Sequence, residues 1–118
     1  YCTALGKALL CDYTFPQLQA LYPNPLVKQT KNTITDLHAL YEQLQSIKQT
    51  HIAVEQEEIT YQLCCFAVPI VLTHTHNYAM SISMPLFRAT EEKKELAKRL
   101  LLQAKYKIES YDTFINTI

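Results

Sequence analysis

Glycine is nearly absent from this sequence, which has one glycine and no tryptophan in 118 residues. That glycine, Gly6, falls inside a predicted helix, where glycine costs about 1 kcal/mol relative to alanine, so it predicts a close contact. An excess of charge is also missing: 11 basic residues balance 11 acidic ones, which disfavours direct contact with DNA. Long apolar runs are missing too, since Leu63–Leu72 is about half a bilayer span and is broken by Pro69.

The start of the sequence and its cysteines indicate what kind of product it is and which compartment it occupies. The sequence begins at Tyr1 without an initiator Met and without a secretory leader pattern, so we expect a mature, truncated or excised piece of a longer product. The adjacent Cys64 and Cys65 are poor disulfide partners, and no cysteine spacing resembles a zinc site. Reduced thiols, and hence a cytoplasmic protein, are predicted.

Helical patterns occupy the two ends of the chain. Apolar fraction (48%) and length are typical of one globular domain with one core. Four helices are predicted from capping residues and from apolar spacing of three and four. The first is helix 3–10, with Leu5, Ala8 and Leu9 on one face, and the second is helix 16–22, which follows Thr14. The third is capped by Thr35 and has one apolar face: Leu37, Leu40, Tyr41, Leu44 and Ile47. The terminal helix begins at Thr90 and has one apolar face: Leu96, Ala97, Leu100, Leu101, Ala104 and Ile108.

Strand patterns lie between the third and fourth helices. A short segment, 51–55, leads into an acidic turn, Glu55–Glu58. Leu63–Leu72 is a buried strand, bent or bulged at Pro69, and the polar residues Thr73–Asn77 turn the chain back. Residues 78–84 alternate and complete an antiparallel hairpin. The order of elements indicates the α+β class with an antiparallel sheet.

Polar residues in these strands admit two interpretations. Ser81 and Ser83 project from one strand face, which is either the solvent face of the sheet or the floor of a pocket. Cys65 is either core filling or a nucleophile, but no neighbouring histidine supplies a base. The acidic turn is either solvated or holds a polar ligand or metal, and His74 with His76 is either a surface turn or a metal pair. The first amides of helix 3–10, at Ala4 and Leu5, are a possible anion site.

An ordered set of fragments resembles the effector-binding domain of IclR-type transcriptional regulators. The fragments cover nearly the whole chain and comprise Thr3–Leu10, Ile47–Lys48, Ala53–Glu58, Cys65–Pro69, Ser81–Pro85, Arg88 and Thr90. The resemblance implies a GAF-like domain over residues 1–118, with a curved antiparallel sheet flanked by helices. It also implies that a winged helix-turn-helix, a linker and the first helix and strands of the sensing domain precede Tyr1.

The resemblance further implies a pocket for a small organic acid. Its carboxylate would meet the amides of Ala4 and Leu5, and the remaining lining residues would be Glu55, Leu63, Cys65, Ser81 and Ser83. Binding would control DNA contacts made by a separate domain, in a homodimer or tetramer, with no metal, cofactor or membrane involved.

Departures from the family pattern bear on which ligand fits. Glu55 stands where Asp is usual, so its carboxylate would reach one methylene further, while His51, Gln62 and Met84 stand where glycine is common. Because no base lies near Cys65 and no glycine-rich phosphate loop is present, a sensing domain without catalytic activity is predicted. The alternatives are a small thiol-dependent enzyme using Cys65 or Cys64, and a dimerisation domain whose pocket is filled by Met84 and His51.

Overall fold

A computed structural model describes residues 1–73 and 75–117, with only the backbone described for residues 75–77. The elements are α1 (Ala4–Leu10), α2 (Phe15–Leu21), α3 (Leu37–Thr50), β1 (Ala53–Gln56), β2 (Leu63–Leu72), β3 (Thr75–Pro85), a short 3₁₀ turn (Leu86–Arg88) and α4 (Glu91–Thr117). The strands form an antiparallel sheet in the order β1-β2-β3. The predicted α+β class is confirmed.

The hairpin of β2 and β3 is longer than its apolar pattern. Leu72 already pairs with Thr75, so the predicted polar turn over residues 73–77 is wrong in its extent. Backbone pairing needs no apolar side chains, which is why alternation alone placed the strand's beginning too late. The register shift lies between Ile70 and Leu72, just after Pro69. Because β1 pairs no further than Ala67, Pro69 lies where β2 is an edge strand and its missing N–H is tolerated.

Helices cover both faces of the sheet. Helices α1, α2 and α3 form a core cluster with Ala53, Cys65 and Ala67 on one face, which we call the polar face because it also buries charged groups. On the other face, α4 packs against Cys64, Phe66, Val68 and Ile70, and we call this the apolar face. Alternation along β2 therefore separates adjacent residues into different layers.

Two helices bury only part of the predicted face, since Ala8 of α1 and Ala97 and Leu101 of α4 are buried as predicted. In α1, Leu5 and Leu9 are each 39% exposed, and the buried residues are Ala4, Lys7, Ala8 and Leu10. In α4, Leu96 and Leu100 are exposed, and the buried residues are Ala97, Leu101 and Lys105. Each of these helices contacts the sheet along a narrow stripe, so apolar residues beside the stripe remain in solvent.

Helix capping follows the prediction for α1 and α2. Thr3 Oγ1 accepts a hydrogen bond from Gly6 N at 2.9 Å, and Thr14 forms a capping box with Gln17. At α3 the cap is Asp36, whose side chain accepts from His38 N, and not the predicted Thr35. A short carboxylate one residue nearer the helix reaches the first-turn amides more directly.

The close contact predicted for Gly6 is confirmed, and it involves the helix cap. A Cβ at this position would lie 2.8 Å from Thr3 Oγ1, so glycine leaves room for the capping hydroxyl. None of the described turns uses glycine for a positive φ. His51, Glu57 and Gln62 adopt φ values of 65°, 56° and 68° instead, a region in which side chains are strained.

Candidate functional site

A row of polar side chains crosses all three strands on the polar face. Glu55 of β1 lies opposite Cys65 of β2, which lies opposite Ser83 of β3. Cys65 Sγ is 3.1 Å from Ser83 Oγ, within hydrogen-bonding distance for sulfur. Strand pairing thus brings together three of the predicted site residues that are far apart in the sequence.

Glu55 is the buried end of this row. Its side chain is only 1% exposed, and no side chain among the described residues donates a hydrogen bond to either carboxylate oxygen. Burial raises the pKa of the Glu55 carboxyl, and the nearby Glu58 carboxylate acts in the same direction. The interpretation of the acidic turn as solvated is wrong for Glu55, because β1 continues to Gln56 and its alternation turns Glu55 inward.

A buried ion pair lies beside the row, and the sequence reasoning missed it. Lys7 has no exposed surface, and its Nζ donates to both Glu58 oxygens at 2.8 Å and to Gln43 Oε1 at 2.7 Å. The signal was present: Lys7 interrupts the stripe of Ala4, Ala8 and Cys11, which follows helical spacing. A lysine within an otherwise small and apolar stripe indicates a buried acidic partner.

The other carboxylates of the acidic turn point to different partners. Glu58 binds Lys7, whereas Glu57 Oε2 accepts from the backbone amide of Gln62 at 3.2 Å. Within residues 1–73 and 75–117, no group of three or more His, Cys, Asp or Glu side chains converges as metal ligands would. The predicted alternative of a histidine pair rests on His74 and His76, and it lies outside the described residues.

The remaining predicted site residues flank the row. Ser81 lies opposite Ala67, and both Ser81 and Ser83 are exposed. Leu63 lies opposite Pro85 and packs against the polar-face core. Ala4 has no exposed surface and belongs to the same core, whereas the Leu5 side chain points to solvent. The serine end of the row is thus open, and its Glu55 end is closed.

The thiols lack the environment of a nucleophile. Burial raises the pKa of the Cys65 thiol, opposed in part by its hydrogen bond with Ser83, and burial also raises the pKa of Cys64. Reactive cysteines need the opposite shift. Cys64 lies on the apolar face against α4, away from the polar row. All four cysteines are free, as their spacing predicts.

Two of the departures from the family pattern lie outside the row. Met84 packs against the apolar-face core, and His51 ends α3 as an exposed residue with a left-handed backbone. The predicted filling of the pocket by these two residues is therefore wrong. Strand alternation turns Met84 to the side opposite Ser83, its neighbour along β3.

These features define a helix-covered sheet with a polar row on one face, and comparison with known proteins shows which class this is. Residues 1–109 match the family model described as the bacterial transcriptional regulator IclR C-terminal domain. The chain belongs to this family. The predicted family is confirmed, and the chain is an effector-binding domain of a transcriptional regulator.

Individual relatives agree with this assignment. The chain is 36% identical over 107 residues to the HTH-type transcriptional regulator TtgV of Pseudomonas putida, covering 91% of this chain and 40% of TtgV. Its fold matches the C-terminal domain of the Escherichia coli regulator KdgR with a TM-score of 0.81 at 30% identity, covering 93% of this chain and 68% of that one. The chain thus spans about two fifths of its curated relative.

A second solved structure shares the fold. It is a double mutant of the inducer-binding domain of the transcription factor PobR from Acinetobacter, in complex with 3-hydroxybenzoic acid. Its TM-score is 0.82 at 22% identity, and the match covers 92% of this chain and 63% of that one. These relatives are transcriptional regulators, so the alternative of a thiol-dependent enzyme is wrong.

None of the described helices combines the length and apolarity that crossing a bilayer requires.

Proposed function

We propose that this chain senses a small organic acid on its polar face and thereby controls DNA binding by a separate domain of the same regulator. The observation that carries the proposal is the row of Glu55, Cys65 and Ser83, which lines one face of a sheet in a family of regulators. A pocket that fixes a small acid needs few convergent polar groups within apolar walls. The complex of PobR with 3-hydroxybenzoic acid supports this class of ligand.

The proposed binding mode uses the open end of the row. Ser81 and Ser83 are exposed, so a ligand entering there meets two hydroxyls first and Leu63 as an apolar wall. The amides of Ala4 and Leu5 would receive its carboxylate at the start of α1. Thr3 Oγ1 already accepts from the Gly6 amide, so the amides one and two residues earlier are the ones that need another acceptor.

The proposed response is a shift between two arrangements of the domain. An acid can move that equilibrium only by its difference in affinity for the two arrangements, which is typically about 1–3 kcal/mol. Contacts with a second copy of the chain would transmit the shift to the DNA-binding domains.

Calorimetric titration with 3-hydroxybenzoate and a panel of 2-oxo, 2-hydroxy and sugar acids tests the proposal. We expect at least one acid to bind, and the double variant Ser81→Ala, Ser83→Ala to weaken it by about thirtyfold, since each lost hydrogen bond is worth about 1 kcal/mol. Ser46→Ala, an exposed serine of α3, is the matched control and should change nothing. Unchanged affinity in the double variant would refute the serine floor. If none of the acids binds, the remaining interpretation is a domain that serves only dimerisation.

A further inference from the structure

Glu55 presents an unusual combination of burial and isolation. Its side chain is 1% exposed, and no described side chain donates a hydrogen bond to either carboxylate oxygen, so only the backbone amides of Glu58 and Ile59 face it as donors. Leaving an ionised carboxylate in such a place costs several kcal/mol, so buried carboxylates are ordinarily paired or hydrogen-bonded. The position is therefore incomplete as it stands.

The nearest cation cannot complete it. Lys7 faces the same region from α1, but its ammonium donates to both oxygens of Glu58 and to Gln43 Oε1. These contacts account for every N–H donor of an ammonium group. Lys7 and Glu58 also balance one another in charge, which leaves any charge on Glu55 uncompensated.

We propose that Glu55 contributes to the effector site as a protonated carboxyl, so that binding an organic anion is coupled to the uptake of one proton. This inference rests on the proposed function, because it takes the effector to be an acid bound on the polar face. An anion placed beside an ionised, unpaired Glu55 would be repelled. A neutral carboxyl instead donates its O–H to an oxygen of the ligand. The proton comes from the solvent onto a Glu55 oxygen and returns to the solvent when the ligand leaves.

The groups around Glu55 favour its neutral form. Burial raises the pKa of Glu55, and the Glu58 carboxylate in the turn adds to that effect. The amides of Ile59 and Glu58 and the Lys7 ammonium of α1 act in the opposite direction. From β2 the facing group is the Cys65 thiol, whose own pKa is raised by burial, so it stays neutral. From α3 the nearby polar group is the uncharged amide of Gln43, which accepts from the Lys7 ammonium.

Calorimetry with 3-hydroxybenzoate, or another acid of the panel that binds, measures the coupling. Titrations at pH 7 and 8 in phosphate and in Tris give the number of protons taken up, because the two buffers differ in ionisation enthalpy, and a titration at pH 6 in phosphate extends the affinity profile. At pH values above the pKa that Glu55 has in the free protein, we expect uptake to approach one proton and affinity to fall by about tenfold per pH unit. Below that pKa Glu55 already holds its proton, so uptake and the pH dependence should both vanish. In Glu55→Gln, whose amide can still donate, affinity should be independent of pH. Glu42→Gln, an exposed glutamate of α3, should behave as wild type.

Binding with the same pH dependence in wild type and Glu55→Gln would overturn the inference. A second measurement needs no ligand: urea unfolding of both proteins from pH 5 to 8. When folding raises the pKa of a carboxyl, the protein loses stability as the pH rises toward and through that raised pKa. The free energy of unfolding of the wild type should therefore fall steadily below that of Glu55→Gln as the pH rises. A difference that does not change with pH would also overturn the inference. If this difference appears while no acid binds, the proposed function fails and the neutral Glu55 stands.

Discussion

The two faces of the sheet are built by the same strands yet differ in chemistry. On the apolar face, Phe66 and Val68 pack with α4 in an apolar cluster, and the buried Lys105 of α4 bonds Pro69 O and Glu109 beyond that cluster. On the polar face, small residues such as Ala53 and Ala67 surround the buried Glu55 and the ion pair of Lys7 with Glu58. Apolar volume stabilises a domain, whereas buried charge at best breaks even with an apolar replacement. The polar face thus gives up stability, which is expected of a surface shaped for binding.

The largest effect should come from emptying the apolar face. Phe66 is 2% exposed, so Phe66→Ala should lower the free energy of unfolding by about 4 kcal/mol through lost burial and a residual cavity. Urea unfolding measures the loss. Val54→Ala is the control, since Val54 pairs with Phe66 across the strands but is 46% exposed. Equal losses in the two variants would show that the apolar face is not the main core.

Breaking the ion pair on the polar face should rank next. Lys7→Met leaves Glu58 buried without its cation, and we expect the free energy of unfolding to fall by about 3 kcal/mol. Adding Glu58→Gln should recover most of this loss, because no uncompensated charge then remains. Lys98→Met removes a surface pair with Glu95 and should change stability by less than about 1 kcal/mol. A loss as small for Lys7→Met would refute burial of the pair.

The adjacent cysteines compare the two faces directly. Cys64→Ser places a hydroxyl in the apolar cluster without a partner and should cost about 2 kcal/mol. Cys65→Ser keeps Ser83 Oγ within reach and should cost less than about 1 kcal/mol. Thermal and urea unfolding of the two variants give the difference. A reversed order would mean that the assignment of the two faces is wrong.

The smallest effect concerns the turn that joins α3 to the polar row. His51 has φ 65°, so His51→Gly should raise the free energy of unfolding by about 1 kcal/mol by relieving backbone strain. Gln49→Gly, two residues earlier within the helix, should lower it by about 1 kcal/mol. Destabilisation by both substitutions would show that the His51 side chain makes a contact worth more than the strain.

Most elements of the fold could be predicted because their patterns are local. The spacing of Leu40, Leu44 and Ile47 fixed the core face of α3, and the alternation of Ser81, Ile82 and Ser83 fixed the two faces of β3. The buried faces of α1 and α4 could not be predicted in the same way. Leu5 and Leu100 match the apolar periodicity as well as their buried neighbours do, and only the position of the sheet selects between them.

The candidate site was predictable as a set of residues but not as an arrangement. The resemblance supplied Glu55, Cys65 and Ser83, and their alignment across the strands depends on the register of two ladders. Lys7 was missed because an isolated lysine in a helix is ordinarily solvated. Its partners, Gln43 and Glu58, became visible only when α1, α3 and the acidic turn were seen together.

The sequence by itself determined the class of fold, the capping of α1 and α2, and membership of a family of regulators, because each depends on residues close together in the chain or on their fixed order. Tertiary structure alone decided that Glu55 is closed off from water, that Lys7 is committed to Glu58, and that Met84 lies on the opposite side from Ser83. Burial and charge pairing are properties of what surrounds a side chain, and those surroundings come from distant segments that the local pattern does not encode.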